Sequence, residues 1–450
     1  MAVAFESQTA SEYNGFRMNC AELRSDIDRL KDELQTLGEN VETTRGAEGY
    51  SKEFQDVAKS IDSNSSDSML KKYLDDFREQ NPEFFSAITL GERIDIEDAE
   101  GRLICVTSVA ADKNGRVLIG GEHGTLYAGS YGEYGELVLG ERIDIKDANE
   151  GRELAMITSI TIDESGRVLI GGGWGVFYEG YYDDQGKLML GERIDVRDVD
   201  GGPANIKAIT VVNDDDGRVL IGGTKGAFYE GSCNNHGEFA LGKRIDIKDA
   251  FGCPGYIQAI AATGDGHILI GVHDGMVYDG FYDERGELRL SGREEIDKYM
   301  SVWAIAATDD GRVLIGGEDP EGGGALYVGS YDARGELTLR KQTVVVGDGE
   351  KLATIFTIAA TDGGRVLIGT ADGTLYAGLF TDQGELVLNG RESLKSANGK
   401  SSDVFSITVI DGERALIGGR GGALYAGSFD TSLEALKRHL PEIVAKGEPY

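Results

Sequence analysis

Acidic side chains gather at one recurring kind of turn: Asp112-Lys113-Asn114-Gly115, Asp163-Glu164-Ser165-Gly166, Asp214-Asp215-Asp216-Gly217 and Asp309-Asp310-Gly311. Grouped carboxylates suit calcium, which takes about six to eight oxygen ligands converging on one point. These groups are instead distributed along the chain, so they read as Asp and Gly forming hairpin turns. Asp214 to Asp216 is the one stretch with enough local charge for calcium. Histidine offers less, because His123, His273 and His236 are dispersed, and a zinc site needs three or four ligands within about 2.3 Å of the metal. The cysteines Cys20, Cys105, Cys233 and Cys253 form no C-x-x-C pair. That indicates neither zinc nor a disulfide framework and fits a reducing cytosol. No G-x-S-x-G, P-loop or HExxH pattern occurs. Gly322-Gly323-Gly324 reads as a flexible turn rather than a phosphate cradle. With 78 Asp and Glu residues in the chain, no carboxylate pair stands out for acid–base work. No cofactor, no metal and no catalytic constellation is expected, and a binding role is favoured over an enzyme.

The acidic turns are spaced by a repeat. Gly115 opens the string GRVLIGG, which returns from Gly166 and Gly217, as GHILIGV from Gly266, GRVLIGG from Gly311, GRVLIGT from Gly364 and GERALIGG from Gly412. Its Ile-Gly steps fall at Ile119, Ile170, Ile221, Ile270, Ile315, Ile368 and Ile417, giving seven units of about fifty residues. Within a unit, apolar residues alternate with small or polar ones, and Gly-bearing turns separate the segments. This is the pattern of short antiparallel strands. The first unit divides into strand A (Val106 to Ala111), strand B (Arg116 to Gly120), strand C (Thr125 to Ser130) and strand D (Glu136 to Ile145). Four strands repeated seven times predict an all-β, seven-bladed β-propeller. A lone strand D, Ile88 to Ile96, precedes the first strand A, and no strand D follows the last strand C. An open ring would expose its edges, so the strand within 86–97 is expected to complete blade seven. The repeated Gly-Glu-Arg-Ile-Asp at 91–95, 140–144 and 191–195 reads as solvated ion pairs guarding the outermost strand.

Variation among the repeats locates the candidate site. In strand A one column is β-branched (Val106, Ile157, Ile206, Ile257, Val302, Ile355, Val404) and another is small (Ser108, Ser159, Ala208, Ala259, Ala304, Thr357, Ser406). The column between them reads Thr107, Thr158, Lys207, Gln258, Trp303, Phe356, Phe405. Uniform columns pack blades, whereas a variable one is free for recognition. It belongs near one mouth of the central channel, on the face shared with the B to C loops, where Trp174, Lys225 and Arg420 also vary. The candidate binding residues are therefore Trp303, Phe356, Phe405, Trp174, Lys225, Arg420, Lys207 and Gln258. Aromatic and Arg anchors dominate protein interfaces, although aromatics at blade junctions also serve as core.

The D-x-x-G-R turn, the apolar strand ending in I-G and the Gly-containing turn after it make the array from Phe84 to Phe429 resemble bacterial propeller repeats of the two-component-regulator kind. More loosely, it is similar to the virginiamycin B lyase-like propellers. The resemblance implies the fold and leaves function open; Leu118, Leu169 and Leu220 stand where that family commonly has Trp.

Residues 1–83 follow another pattern. Phe16, Cys20, Leu23, Ile27, Leu30, Leu34, Leu37 and Val41 alternate spacings of four and three, the seam of a coiled coil. Ser51 to Ile61 and Ser66 to Gln80 each place apolar residues on one helical face. A helical domain over 1–83 is expected, either a coiled coil that makes a homo-oligomer or a small bundle. The propeller spans 84–430, and Thr431-Ser432-Leu433-Glu434 opens a short helix within the C-terminal segment 431–450. A net charge of −33 disfavours nucleic acid and anionic membranes as partners. With no apolar run long enough to span a bilayer and no secretory pattern at the start, a cytoplasmic location is expected. The function these features imply is a non-enzymatic protein–protein interaction scaffold using one propeller face, with the N-terminal helices for oligomerisation or docking. The alternatives are an enzyme or small-ligand binder at the channel mouth, and a glycan-binding lectin resting on Trp174, Trp303 and Tyr256.

Overall fold

In the computed structural model the described residues are 88–429, except 132–135, 146–155, 184, 213–216, 234–238, 297–299, 333, 343–351, 362, 381–383 and 411–413. The chain divides into two compact units, Met1–Asn81 with Leu433–Tyr450, and Pro82–Ser432. The helices expected in 1–83 and 431–450, the calcium candidate Asp214 to Asp216 and His236 lie outside the described residues.

Among the described residues, twenty-eight strands form seven four-stranded antiparallel sheets, each laid out A-B-C-D. Blade one has Val106–Ala111, Arg116–Gly121, Thr125–Tyr131 and Leu137–Asp144 as its strands A to D. The innermost strands of the next six blades are Ile157–Ile162, Ile206–Val211, Ile257–Ala262, Ser301–Ala307, Ile355–Ala360 and Val404–Ile410. Each packs on the next around the ring, and the last packs on the first. Blade seven draws its strand D from the other end of the array: Ile88–Asp95 pairs with Ala423–Phe429, Ile88 opposite Phe429 and Asp95 opposite Ala423. The fold is a closed, seven-bladed β-propeller.

The hydrophobic cores lie between blades, one at each of the seven junctions. The repeated Ile-Gly step explains their geometry. At each step the glycine leaves a socket that the β-branched residue of the next strand A fills: Ile157 over Gly120, Ile206 over Gly171, Ile257 over Gly222, Val302 over Gly271, Ile355 over Gly316, Val404 over Gly369 and Val106 over Gly418. The small column adds polar stitches across three junctions, blade seven to one, one to two and two to three. Ser406, Ser108 and Ser159 accept hydrogen bonds from the backbone N–H groups of Val109, Ile160 and Ile209, respectively.

A second latch joins blades on the opposite side of the ring from the candidate site. The Arg that opens strand B lies over the aromatic ring ending strand C of the next blade. Arg116 sits 4.3 Å from the Tyr182 centroid, Arg218 4.3 Å from Tyr282, Arg312 4.7 Å from Phe380, Arg365 4.9 Å from Phe429 and Arg414 4.4 Å from Tyr131. Between blades four and five the Arg is His267, stacked 3.8 Å from Tyr331, whose hydroxyl donates to Asp279. Cation–π contacts of this kind strengthen as they are desolvated, and burial pushes the Tyr182 hydroxyl up to about 12.

The acidic turns are local structure. Asp112 Oδ1 accepts the N–H groups of Asn114 and Arg116 while Oδ2 accepts the Arg116 guanidinium; Asp163 does the same with Ser165 and Arg167. On the outermost strands Arg93–Asp95, Arg142–Asp144 and Arg193–Asp195 are ion pairs at 2.6, 2.9 and 2.7 Å. Among the described residues no three His, Cys, Asp or Glu side chains converge as a metal site, and no helix is long and apolar enough to cross a membrane.

Candidate functional site

The variable column of strand A is a column of β-bulges. In blade one Val106 faces Gly121 and Ser108 faces Gly120, so Thr107 has no partner on strand B. The same skip falls at Thr158, Lys207, Gln258, Trp303, Phe356 and Phe405. A bulge bends its strand and re-aims one side chain without breaking the flanking ladder. Seven bulges thus place seven partly buried side chains in a ring just inside one mouth of the channel.

The ring has three chemical sectors. In blades one and two, the hydroxyls of Thr107 and Thr158 donate to the carbonyls of Ile157 and Ile206 on the next blade. In blades five to seven the bulges are aromatic and touch one another: Trp303 and Phe356 meet edge to face at 5.8 Å, and Phe356 and Phe405 are tilted against each other at 5.7 Å. His273, from the B to C turn of blade four, extends this arc by meeting Trp303 edge to face at 5.5 Å. Arg420 extends the other end, 5.8 Å from the Phe405 centroid and ion-paired with Asp403 at 2.6 Å. Trp303 Nε1 is buried with no hydrogen-bond acceptor among the described residues. Between the threonines and the aromatics stand Lys207 and Gln258.

Trp174 and Lys225 lie on the same face, in the B to C turns of blades two and three. Both adopt left-handed backbone, with φ of 57° and 51°, as does His123 of blade one with φ of 57°. Each is followed by a left-handed glycine, Gly124, Gly175 or Gly226, which is the geometry of a tight hairpin turn usually given to Asn or Gly. A bulky residue held there costs about 1–2 kcal/mol, and such strain concentrates at functional sites. Local bonds hold the turns in place. The Trp174 N–H donates to Asn205 Oδ1 at 3.0 Å, and Lys225 Nζ lies 3.3 Å from Asp200 and 3.6 Å from Asp198. Hydrogen bonding to Asp200 and the charge of Asp198 push the Lys225 ammonium up.

Backbone contacts continue from these turns to the aromatic arc. Val199 N–H donates to the Lys225 carbonyl, Gly226 N–H to that of Gly255, and His273 N–H to that of Tyr256. The structure therefore joins Trp303, Phe356, Phe405 and Arg420 in direct contact, and links Lys225 to them through the D to A loops. Of the exposed loop residues, sequence reasoning named Tyr256, as a sugar-stacking platform, and missed Phe251 and Val199. Phe251 is 73% exposed, Tyr256 48% and Val199 37%, beside Trp174 at 57%. Phe251 projects because Asp249 Oδ1 accepts the N–H groups of Phe251 and Cys253, making a capped turn with Phe251 at its tip. Asp98 and Asp198 cap matching turns whose tips are Glu100 and Asp200. Comparing D-x-x-G turns across the D to A loops would have singled out Phe251.

The fold places the chain among seven-bladed β-propellers, and comparison with solved structures finds a likeness of fold. A protein of Lactobacillus plantarum, known from a crystal structure, is similar over 64% of this chain and 84% of its own, at 13% identity and a TM-score of 0.50. That likeness concerns the fold alone. No protein-family model matches the chain, and no curated protein matches it.

Proposed function

We propose that the protein is a non-enzymatic interaction scaffold whose partner is another protein, bound on the face formed by the D to A and B to C loops. The observation that carries this reading is the set of large apolar side chains exposed on that face, Trp174, Val199, Phe251 and Tyr256, on adjoining blades two to four. Clustered exposed apolar surface marks interaction sites, whereas scattered residues do not. Aromatic anchors of this kind supply most of the energy at protein interfaces. The bulge residues Trp303, Phe356 and Phe405, with Lys225 and Arg420, belong to the same recognition surface. Helices within 1–83 serve oligomerisation or docking, the protein works in the cytoplasm, and its net charge of −33 favours protein over nucleic acid or membrane. Kinship with two-component-regulator-type propellers is part of this reading, since the shared turn and I-G step support it.

The test compares proteins captured from lysate by the full chain with those captured by Trp174→Ala and Phe251→Ser variants of unchanged thermal stability. Each substitution is expected to weaken capture of a specific band at least tenfold, about 1.4 kcal/mol or more. Capture that survives both substitutions overturns the assignment of this face.

A further inference from the structure

The innermost strand of each blade turns one edge to the central channel, and the backbone groups on that edge have no ladder partner. Blade three shows how they are met. Ile209 faces Ile221 on strand B, yet its N–H donates to Ser159 and its C=O accepts from Thr161, both on the innermost strand of blade two. It therefore belongs to the kind of antiparallel pair that exchanges no hydrogen bonds, with both polar groups turned away from strand B. The N–H groups of Val109 and Ile160 donate in the same way to Ser406 and Ser108, and the C=O of Ile260 accepts from Thr210.

Alanine removes these stitches on one side of the ring. The residues in position to meet Ile305 are Ala259 and Ala261, and those in position to meet Ile358 are Ala304 and Ala306. Blades four and five are the two that place alanine at both positions. Ile305 faces Ile315 and Ile358 faces Ile368 in the register of Ile209, after the same bulge. Their N–H and C=O groups thus also turn away from strand B, and no side chain bonds to them among the described residues. Ala307 and Ala360, two residues further on, stand in the same phase of the ladder. Each edge presents donor and acceptor pairs at alternate residues, which is a template for another strand.

The unmet groups coincide with open space. A cavity of about 520 Å³ lies between the innermost strands, and Ile305, Ala306, Ala307, Ile358, Ala359 and Ala360 are among the residues that line it. It lies beyond the bulges at Trp303 and Phe356, toward the A to B turns. The volume is that of a small-ligand site. Bare strand edges offer little to an apolar ligand, whereas an extended peptide answers their alternation bond for bond. At a rise of about 3.3 Å per residue, three peptide residues cover the run 305–307.

We infer that the central channel takes up a short extended peptide, added as a strand to the free edges of the innermost strands of blades five and six. The site is separate from the loop face that carries the protein-partner reading, and the inference does not rest on it.

The experiment is calorimetric titration of the full chain with trialanine acetylated and amidated at its ends. Binding in the millimolar range is expected, and its absence overturns the inference. The same peptide N-methylated at every residue keeps its bulk and loses its donors; it is expected to bind at least tenfold more weakly, and equal affinity overturns the inference. Ala259→Ser with Ala261→Thr, combined with Ala304→Ser and Ala306→Thr, gives Ile305 and Ile358 the hydroxyls that Ser159 and Thr161 give Ile209. That variant is expected to lose at least tenfold in trialanine affinity without a fall in melting temperature, and unchanged affinity overturns the inference. If the added atoms lower the melting temperature, amide hydrogen exchange of the unaltered chain decides. Saturating trialanine is expected to slow exchange at Ile305 and Ile358, and unchanged exchange there overturns the inference. Trp174→Ala is expected to leave trialanine affinity unchanged; a tenfold loss would place the peptide on the loop face and overturn the channel site.

Discussion

Replacing Gly316 by alanine probes the contact that spaces the blades. A Cβ built there lies 2.6 Å from Ile355 Cγ2, 2.8 Å from Ile358 Cδ1 and 3.1 Å from Ile355 Cβ. Carbon atoms pack best at about 3.5–4.0 Å, so the new methyl is roughly 1 Å inside that limit. Ile355 is wholly buried and Ile358 nearly so, which leaves neither side chain a free direction to retreat. Overpacking of this kind costs about 1–3 kcal/mol. The effect comes from the socket and not from backbone conformation, because Gly316 is absent from the left-handed glycines. Ile355→Ala alone leaves a cavity and costs about 2–5 kcal/mol. In the double variant the added methyl occupies part of the space that Ile355 vacates, so the combined loss is expected to fall short of the sum by about 1 kcal/mol or more. Gly292→Ala is the control, since nothing lies within 4 Å of its added Cβ. It is expected to be neutral, or stabilising by up to about 1 kcal/mol through the unfolded chain. Urea unfolding followed by circular dichroism measures all four proteins. Additivity within about 0.5 kcal/mol, or an equal loss in Gly292→Ala, refutes the socket.

Trp174→Gly is expected to stabilise the propeller by about 1 kcal/mol, because glycine adopts the left-handed conformation freely, while it weakens partner capture; a loss of stability in urea contradicts the strain argument. Arg414→Ala and Tyr131→Leu, tested singly and together, are expected to reveal a coupling of about 1–2 kcal/mol at the junction that closes the ring, and strict additivity removes the latch. Removing residues 1–97 is expected to lower the melting temperature well below that of a chain lacking only 1–82, because the first deletion strips strand C of blade seven of its Ile88–Asp95 partner; equal melting speaks against closure. Acid sensitivity follows from Asp98: burial raises its carboxyl, but hydrogen bonds from the N–H and guanidinium of Arg102 and the N–H of Glu100 outweigh burial and hold it at about 2. Since the unfolded value is near 3.9, its contribution is complete above about pH 4 and is lost as the pH falls through about 2. Thermal melts from pH 6 to 2 are expected to decline mainly in that window, and less steeply in Asp98→Asn; an identical slope in the variant shows that Asp98 contributes nothing.

The blades were legible in the sequence because each repeat solves the same packing problem, and the answer recurs in Ile119-Gly120 and its six counterparts. Strand A of blade one spans the same residues in sequence and structure, Val106–Ala111. The variable column was legible for the complementary reason: residues that pack nothing in common diverge. That the column consists of bulges was not legible, because register is a property of two strands and Thr107 looks like any strand residue. Nor was the Arg–aromatic latch, although Arg116 and Tyr182 both sit in repeating columns, because the contact crosses to the neighbouring blade. Exposure at the site depended on backbone conformation: Trp174 projects from a left-handed turn and Phe251 from a capped tip, and residue type alone reveals neither.

A side chain that the ladder skips is also one that selection can alter cheaply. At each of the seven bulges the hydrogen-bond register runs from the preceding residue to the following one, so exchanging threonine for lysine, glutamine or an aromatic there leaves the pairing between strands A and B in place. The channel mouth is in effect a seven-position dial mounted on a fixed chassis. One blade can be reset while its neighbours hold the ring, and a propeller of this design can acquire a new ligand by single steps, none of which passes through an unfolded intermediate.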